Sequence, residues 1–275
     1  MKKRTSFRRL SDYPGFGFVA LLFFGFLYLP IMVLVTFSFN SAASVTVWDS
    51  FSLHWYWKAL ANTDLQKAVM NTLIVAAVTT SGAVLVSLPA ALVLSGPAAP
   101  PGIARAGVSL MSLPLIMPEI VIAIATLVFF TTAGIDLGLG NVIIAHTVFC
   151  TPFALLPIMA RLKSMDHQLN EAAYDLYASR VQAFRYVVLP LLTPGILSGA
   201  MLAFIVSFDN FIITLMVSGA GGTTLPLYIY GLVKTQITPE LNAVSTGVLL
   251  LSLLMLAIAF VLTGGRIAGN VGTSD

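Results

Sequence analysis

The sequence predicts an all-α, polytopic membrane protein with six transmembrane helices, and three observations carry that class. Apolar residues make up 58% of the chain and charged residues 9%, against about 25% charged in an ordinary soluble domain. The apolar runs are long enough to cross a bilayer as helices, which takes about 20 residues each. They are also continuous rather than alternating. This selects helices over a closed barrel, the other structure that satisfies every backbone group in lipid. A net charge of +3 decides little, and the placement of the charges decides more.

Lys2, Lys3, Arg4, Arg8 and Arg9 precede the first apolar run. They are read as an orientation signal that puts the N-terminus in the cytoplasm, not as a nucleic-acid patch. The first run, about Phe16–Phe39, exceeds the apolar core of a signal peptide, about 7–15 residues, and is read as a retained helix. A polar, aromatic loop with Trp48, Asp49, His54, Trp55, Tyr56, Trp57 and Lys58 follows outside, its tryptophans near the interface. The second helix runs from near Lys67 to near Leu94, and a turn-rich connection with Gly96, Pro97, Pro100 and Pro101 leads to Arg105 on the cytoplasmic side. The third spans about Gly107–Phe130 and is broken by Pro114 and Pro118, with an outer turn from Thr131 to Gly140 that holds Asp136. The fourth, Asn141–Ala160, delivers the chain to a polar loop. The fifth spans roughly Leu192–Val217, the outer segment Ser218–Asn242 is partly apolar, and the sixth runs from Ala243 to Leu262 with Arg266 just inside. Both termini are then cytoplasmic, and residues 1–275 read as a single transmembrane domain in the cell inner membrane.

The polar loop, about residues 161–190, is the feature that asks for a function. Between Arg161 and Val188 it holds Arg161, Lys163, Asp166, His167, Glu171, Asp175, Arg180 and Arg185, in a chain otherwise built to avoid water. Parity places it in the cytoplasm. Glu171 lies near the start of a helical stretch with Asn170 as its cap, where the helix dipole favours a carboxylate. Ala172 and Ala173 allow close approach of another surface, while Phe184, Val187 and Val188 lie at helical spacing and can seat a second short helix.

Glu171-Ala172-Ala173, followed at the right distance by Leu189-Pro190, resembles the EAA loop of ABC importer permeases: E-A-A, three residues, G, nine residues, I, any residue, L-P. Tyr177 stands where that pattern has glycine and Val187 where it has isoleucine. The first departure bears on the turn between the two short loop helices, and the second is conservative. The resemblance extends to Trp55-Tyr56, Asn71-Thr72-Leu73, Pro114 to Glu119, Ser207 to Phe211, Thr223 to Pro226 and Thr238 to Ala243, which look like the spermidine/putrescine-type subfamily. That subfamily often has two adjacent acids where this chain has Asp209-Asn210.

The resemblance implies a type I ABC importer permease fold, in which this chain pairs with a paralogous permease within membrane lipid. Two ATPase subunits dock at the cytoplasmic loop, and an extracytoplasmic substrate-binding protein delivers the solute. No cofactor is bound by this chain, and ATP and Mg are used by the partner ATPase. The solute is a small, cationic organic molecule such as a polyamine, with phosphonates, opines and other amines as alternatives.

Glu119, Asp209 and Asn210 are the candidates for the substrate pathway. An acid inside an apolar run costs several kcal/mol unless it is paired or faces a cavity. Pro118 breaks the helix before Glu119 and frees backbone groups that can line such a cavity. Structural readings stay open beside this one: Glu119 capping a broken helix, and Asp209 bonding to a neighbouring helix in the assembled dimer. His146 reads as a packed or hydrogen-bonded helix residue, Cys150 as a small hydrophobe, and His54 and His167 as loop residues too far apart for a metal site. The cluster Gly219 to Gly222 lacks the G-K-[ST] end of a phosphate-binding loop, and there is no H-E-x-x-H or G-x-S-x-G, so the chain is not expected to be an enzyme. An ion-coupled secondary transporter using Glu119 and Asp209 is the competing class. It usually shows inverted repeats, and no repeat is found.

Overall fold

The computed structural model describes residues 15–96, 100–166, 168–235 and 238–262, with thirteen α-helices and one π-helical turn among them and no strand. The basic cluster from Lys2 to Arg9, and Pro97, His167 and Arg266, lie outside the described residues. The chain divides into two compact units: residues 1–62 with 232–252, and residues 63–231 with 253–275.

In the first unit, α1 (Phe16–Ser38) is apolar on every side and none of its most apolar stretch is buried within the chain. A helix of that kind is covered by lipid or by another chain. The loop after it is organised by one buried side chain, Asn40. Its Nδ2 donates to Val47 O at 2.6 Å and its Oδ1 accepts from Asp49 N at 2.9 Å. Beyond the loop lies a short helix that the sequence reading took as loop, α2 (His54–Ala61), so His54 begins a helix. Tyr56 Oη lies 2.6 Å from Ser38 Oγ, and Lys58 pairs with Glu240 at 3.3 Å.

The second unit is built on α3 (Thr63–Ser95), α7 (Leu139–Lys163) and α10 (Leu189–Phe208), each packed on the other two. Of the long helices α7 is the most deeply enclosed, with Val142, Ala145, Cys150, Ala154, Leu155 and Ile158 all buried. The α7–α10 contact is close because glycines lie in it. A Cβ at Gly199 would stand 2.6 Å from Ala154 O, and one at Gly195 would stand 2.5 Å from Arg161 Cβ. Two small residues one turn apart let helix backbones approach in lipid, where no hydrophobic force drives helices together.

The six expected apolar segments are helical, with changed boundaries. Helix α3 begins at Thr63, not Lys67, with Asp64 in a first turn that favours an acid. The third segment is three pieces: α4 (Pro101–Met111), α5 (Leu113–Ile116) and α6 (Glu119–Thr132). Pro114 starts the short α5 rather than breaking a helix, and Pro118 flanks α6, both places where a missing N–H costs nothing. The fifth segment starts at Leu189, three residues early, and stops at Phe208. After a break at residues 209–211 it resumes as α11 (Ile212–Val217). The outer segment holds α12 (Leu225–Thr235), and α13 (Pro239–Leu262) starts four residues before the expected Ala243. By length and composition four described helices can cross a membrane whole: α1, α3, α7 and the run Arg180–Phe208.

Candidate functional site

Arg161 and Lys163 belong to the last turn of α7, where the helix dipole favours cations. The Arg161 Nε donates to Leu191 O at 2.8 Å and ties the exit from the loop to its entrance. The loop then forms α8 (Gln168–Asp175), α9 (Arg180–Ala183) and a π-helical turn, Phe184–Val188, that runs into α10. Helix α8 starts at Gln168, so Asn170 lies within its first turn and is not its cap, and the Asn170 side chain is outside the described residues. The Gln168 N–H instead bonds to Asp166 Oδ1 at 2.9 Å. Helix α9 carries a capping box the sequence reading missed. Ser179 Oγ accepts from Gln182 N, and Gln182 Oε1 accepts from Ser179 N. Its S-x-x-Q pattern was there to be read.

Glu171 and Ala172 are exposed on α8, and Ala173 is buried beneath them. Leu189 is half-buried and Pro190 exposed in the first turn of α10. Val187 and Val188, with Phe184, line a cavity of about 250 Å³ closed by Leu92 of α3 and Leu162 of α7. The π-helical turn therefore faces the ends of α3 and α7 across it. Tyr177 has φ 59, the one left-handed non-glycine among the described residues. Ala178 N bonds to Ala173 O at 3.0 Å and Tyr177 N to Tyr174 O at 2.9 Å, which together make a Schellman close of α8. The turn is therefore tight although the residue at its left-handed position is not glycine. Tyr177 is 97% exposed, so its side chain makes no packing contact that would offset the strain.

The intramembrane acids come together at a second place. Glu119 is the first residue of α6, and Asp209 caps the C-terminal end of α10. Asn210 Nδ2 donates to Glu119 Oε1 at 2.6 Å, while Asn210 Oδ1 accepts from Ile213 N at 3.2 Å. Asn210 is buried, Glu119 half-buried and Asp209 exposed. Asp209 and Glu119 flank Asn210, one as its neighbour in sequence and the other as its hydrogen-bond partner. Asp209 also stands at a helix C-terminus, where the dipole disfavours negative charge. Among the described residues neither acid is ion-paired with a basic side chain. His146 of α7 lies beside this break, hydrogen-bonded on both ring nitrogens as expected.

The family described as the inner membrane component of binding-protein-dependent transport systems matches residues 83–265, which include both places. The chain belongs to this family. It is thus a membrane-spanning permease of a binding-protein-dependent transport system and not an enzyme. The spermidine/putrescine transport system permease protein PotC of Haemophilus influenzae is 35% identical over 87% of this chain and 93% of its own. The putrescine transport system permease protein PotI of Escherichia coli is also 35% identical, over 84% of each chain, and Escherichia coli PotC is 33% identical over 93% and 96%.

Solved structures agree on the fold of this ABC importer permease. The permease of a bacterial ABC transporter involved in the import of alginate superposes with a TM-score of 0.70 at 16% identity, over 91% of this chain and 93% of that one. An inward-facing form of the MetNI methionine ABC transporter gives 0.61 at 21% identity, over 73% and 95%.

Proposed function

We propose that this permease moves a small cationic amine, of the putrescine or spermidine type, from the binding-protein side of the inner membrane to the cytoplasm. The observation that carries this reading is the pair of carboxylates at the α10–α11 break. Among the described residues Glu119 is held by a neutral amide, Asp209 is exposed, and neither is ion-paired with a cation. Two acids on either side of one amide in a poorly screened setting are both stabilised when a cation enters between them. The spermidine and putrescine permeases named above are similar over most of the chain and favour the same substrate class.

In this reading the loop 161–190 docks the ATPase subunits, through Glu171 and Ala172 on the exposed face of α8. ATP and Mg act on those subunits. A paralogous permease completes the pathway, since an asymmetric cavity suits one elongated cation. The basic residues at the end of α7 and before α1 support a cytoplasmic loop and cytoplasmic termini.

Asp209→Asn tests the substrate assignment, because it keeps shape and hydrogen bonding and deletes the charge. In proteoliposomes that hold the assembled importer, with binding protein outside, the KM for putrescine uptake should rise about tenfold, the equivalent of ~1.4 kcal/mol. Unchanged uptake would overturn the cation reading. Loss of assembly would mark Asp209 as interhelical glue instead.

A further inference from the structure

A chain interrupted in an apolar interior leaves backbone groups to satisfy, and α10 and α11 are interrupted for three residues, 209–211. His146 sits across that interruption on a different helix. Its Nδ1 lies 3.0 Å from Ser207 Oγ in the last turn of α10, and its Nε2 lies 3.0 Å from Thr214 Oγ1 in α11. The three side chains are sealed, with exposures of 1%, 3% and 0%.

The directions of these bonds follow from counting protons. Thr214 donates its single O–H to Asn210 O at 3.2 Å. Its oxygen must therefore accept from His146, which puts the ring proton on Nε2. In a neutral imidazole the other nitrogen accepts, so Nδ1 takes the Ser207 O–H. One directed run of hydrogen bonds then crosses the break: Ser207 to His146, His146 to Thr214, Thr214 to the Asn210 carbonyl. The Asn210 side chain carries the connection on to Glu119 at 2.6 Å. Phenylalanine would fill the same space but leave the two buried hydroxyls without this bridge.

We propose that His146 is a positioning residue for the cation site, a splint from α7 that fixes the break and thereby where Asp209, Asn210 and Glu119 are presented. It rests on the proposed reading of Glu119 and Asp209 as the groups that meet the cation. His146 touches no substrate in this account. Its effect passes through Ser207 and Thr214.

The test uses the assembled importer in proteoliposomes with its binding protein, putrescine as the probe, and amide hydrogen exchange over residues 207–214 as a readout independent of substrate. His146→Ala should speed exchange in that segment while the rest of α7 stays protected. It should also raise the KM for uptake about tenfold, the scale of two neutral hydrogen bonds. His146→Gln carries a donor and an acceptor at the end of its side chain and should recover most of both. In an Asp209→Asn background, His146→Ala should change KM less than about twofold, because coupled sites do not add.

Unchanged exchange over 207–214 overturns the splint, whatever uptake does. Faster exchange with KM unmoved, where Asp209→Asn does raise it, overturns the link from splint to site. If Asp209→Asn leaves KM unmoved, the cation reading is the one that falls, and the exchange result decides the splint by itself. Should His146→Ala fail to assemble, Ser207→Ala and Thr214→Val each remove one end of the bridge and are read by the same outcomes.

Discussion

Gly199→Ala should loosen the α7–α10 contact, and the size of the effect follows from distances. The new Cβ would lie 2.6 Å from Ala154 O and 3.2 Å from Ala154 Cα. Even a close carbon–oxygen contact needs about 3.3 Å, so the helices must separate by roughly 0.7 Å. The neighbours are backbone atoms of α7 and cannot rotate away. Overpacking of this kind costs about 1–3 kcal/mol, here toward the upper end. Alanine's better helix propensity returns up to about 1 kcal/mol, which leaves a net loss of about 2 kcal/mol. Gly231→Ala in α12 is the control, since a Cβ there meets nothing within 4 Å. Thermal unfolding of the purified complex should show Gly199→Ala lower by about 4–8 °C and Gly231→Ala at or above the parent. Equal melting of the two variants would refute the close approach and, with it, the packing that places Arg161 at the mouth of the loop.

The loop gives two further tests. Glu171→Ala should lower the stimulation of ATP hydrolysis by loaded binding protein while melting stays within about 1 °C, because an exposed side chain contributes little to the fold; retained stimulation with normal uptake would remove the loop as coupler. Tyr177→Gly should relieve the left-handed strain at φ 59, about 1 kcal/mol for a residue with a Cβ. Exchange of the Ala178 amide should then slow about fivefold, and unchanged or faster exchange would show that the turn is not strained.

The architecture was legible because lipid leaves so few choices. Run lengths and continuity were enough to find α1, α3, α7 and α10, and prolines marked the third segment as broken. The sequence reading erred where the break or the helix came from bonds made at a distance. Asp209-Asn210, two residue types that favour turns, interrupt the apolar run between Leu192 and Val217 and were a local sign of the stop at Phe208 that was passed over. The stop is fixed by Asn210 bonding to Glu119, 91 residues earlier, and by His146 holding Ser207 and Thr214. A lone histidine in an apolar run gives no hint of hydroxyl partners 61 and 68 residues away. The tight pair Gly195 and Gly199 was readable as two small residues one turn apart, and it was passed over.

Asn210 shows how the candidate site departs from a simple cluster of acids. An amide both donates and accepts, whereas a carboxylate only accepts. Asn210 uses both ends, donating to Glu119 and accepting from the Ile213 amide at the start of α11. Aspartate at 210 could keep the second bond but not the first, and it would set a third negative charge against Glu119. A chain with two adjacent acids at these positions could not hold the break through this amide bond. Here one position of the pair holds and the other presents charge. Asn210 is buried and bonded on both sides, while Asp209 stands exposed at the end of α10. In the proposed reading the charge offered to an entering cation is that of Asp209 and Glu119, with Asn210 tying α6 to the start of α11 between them.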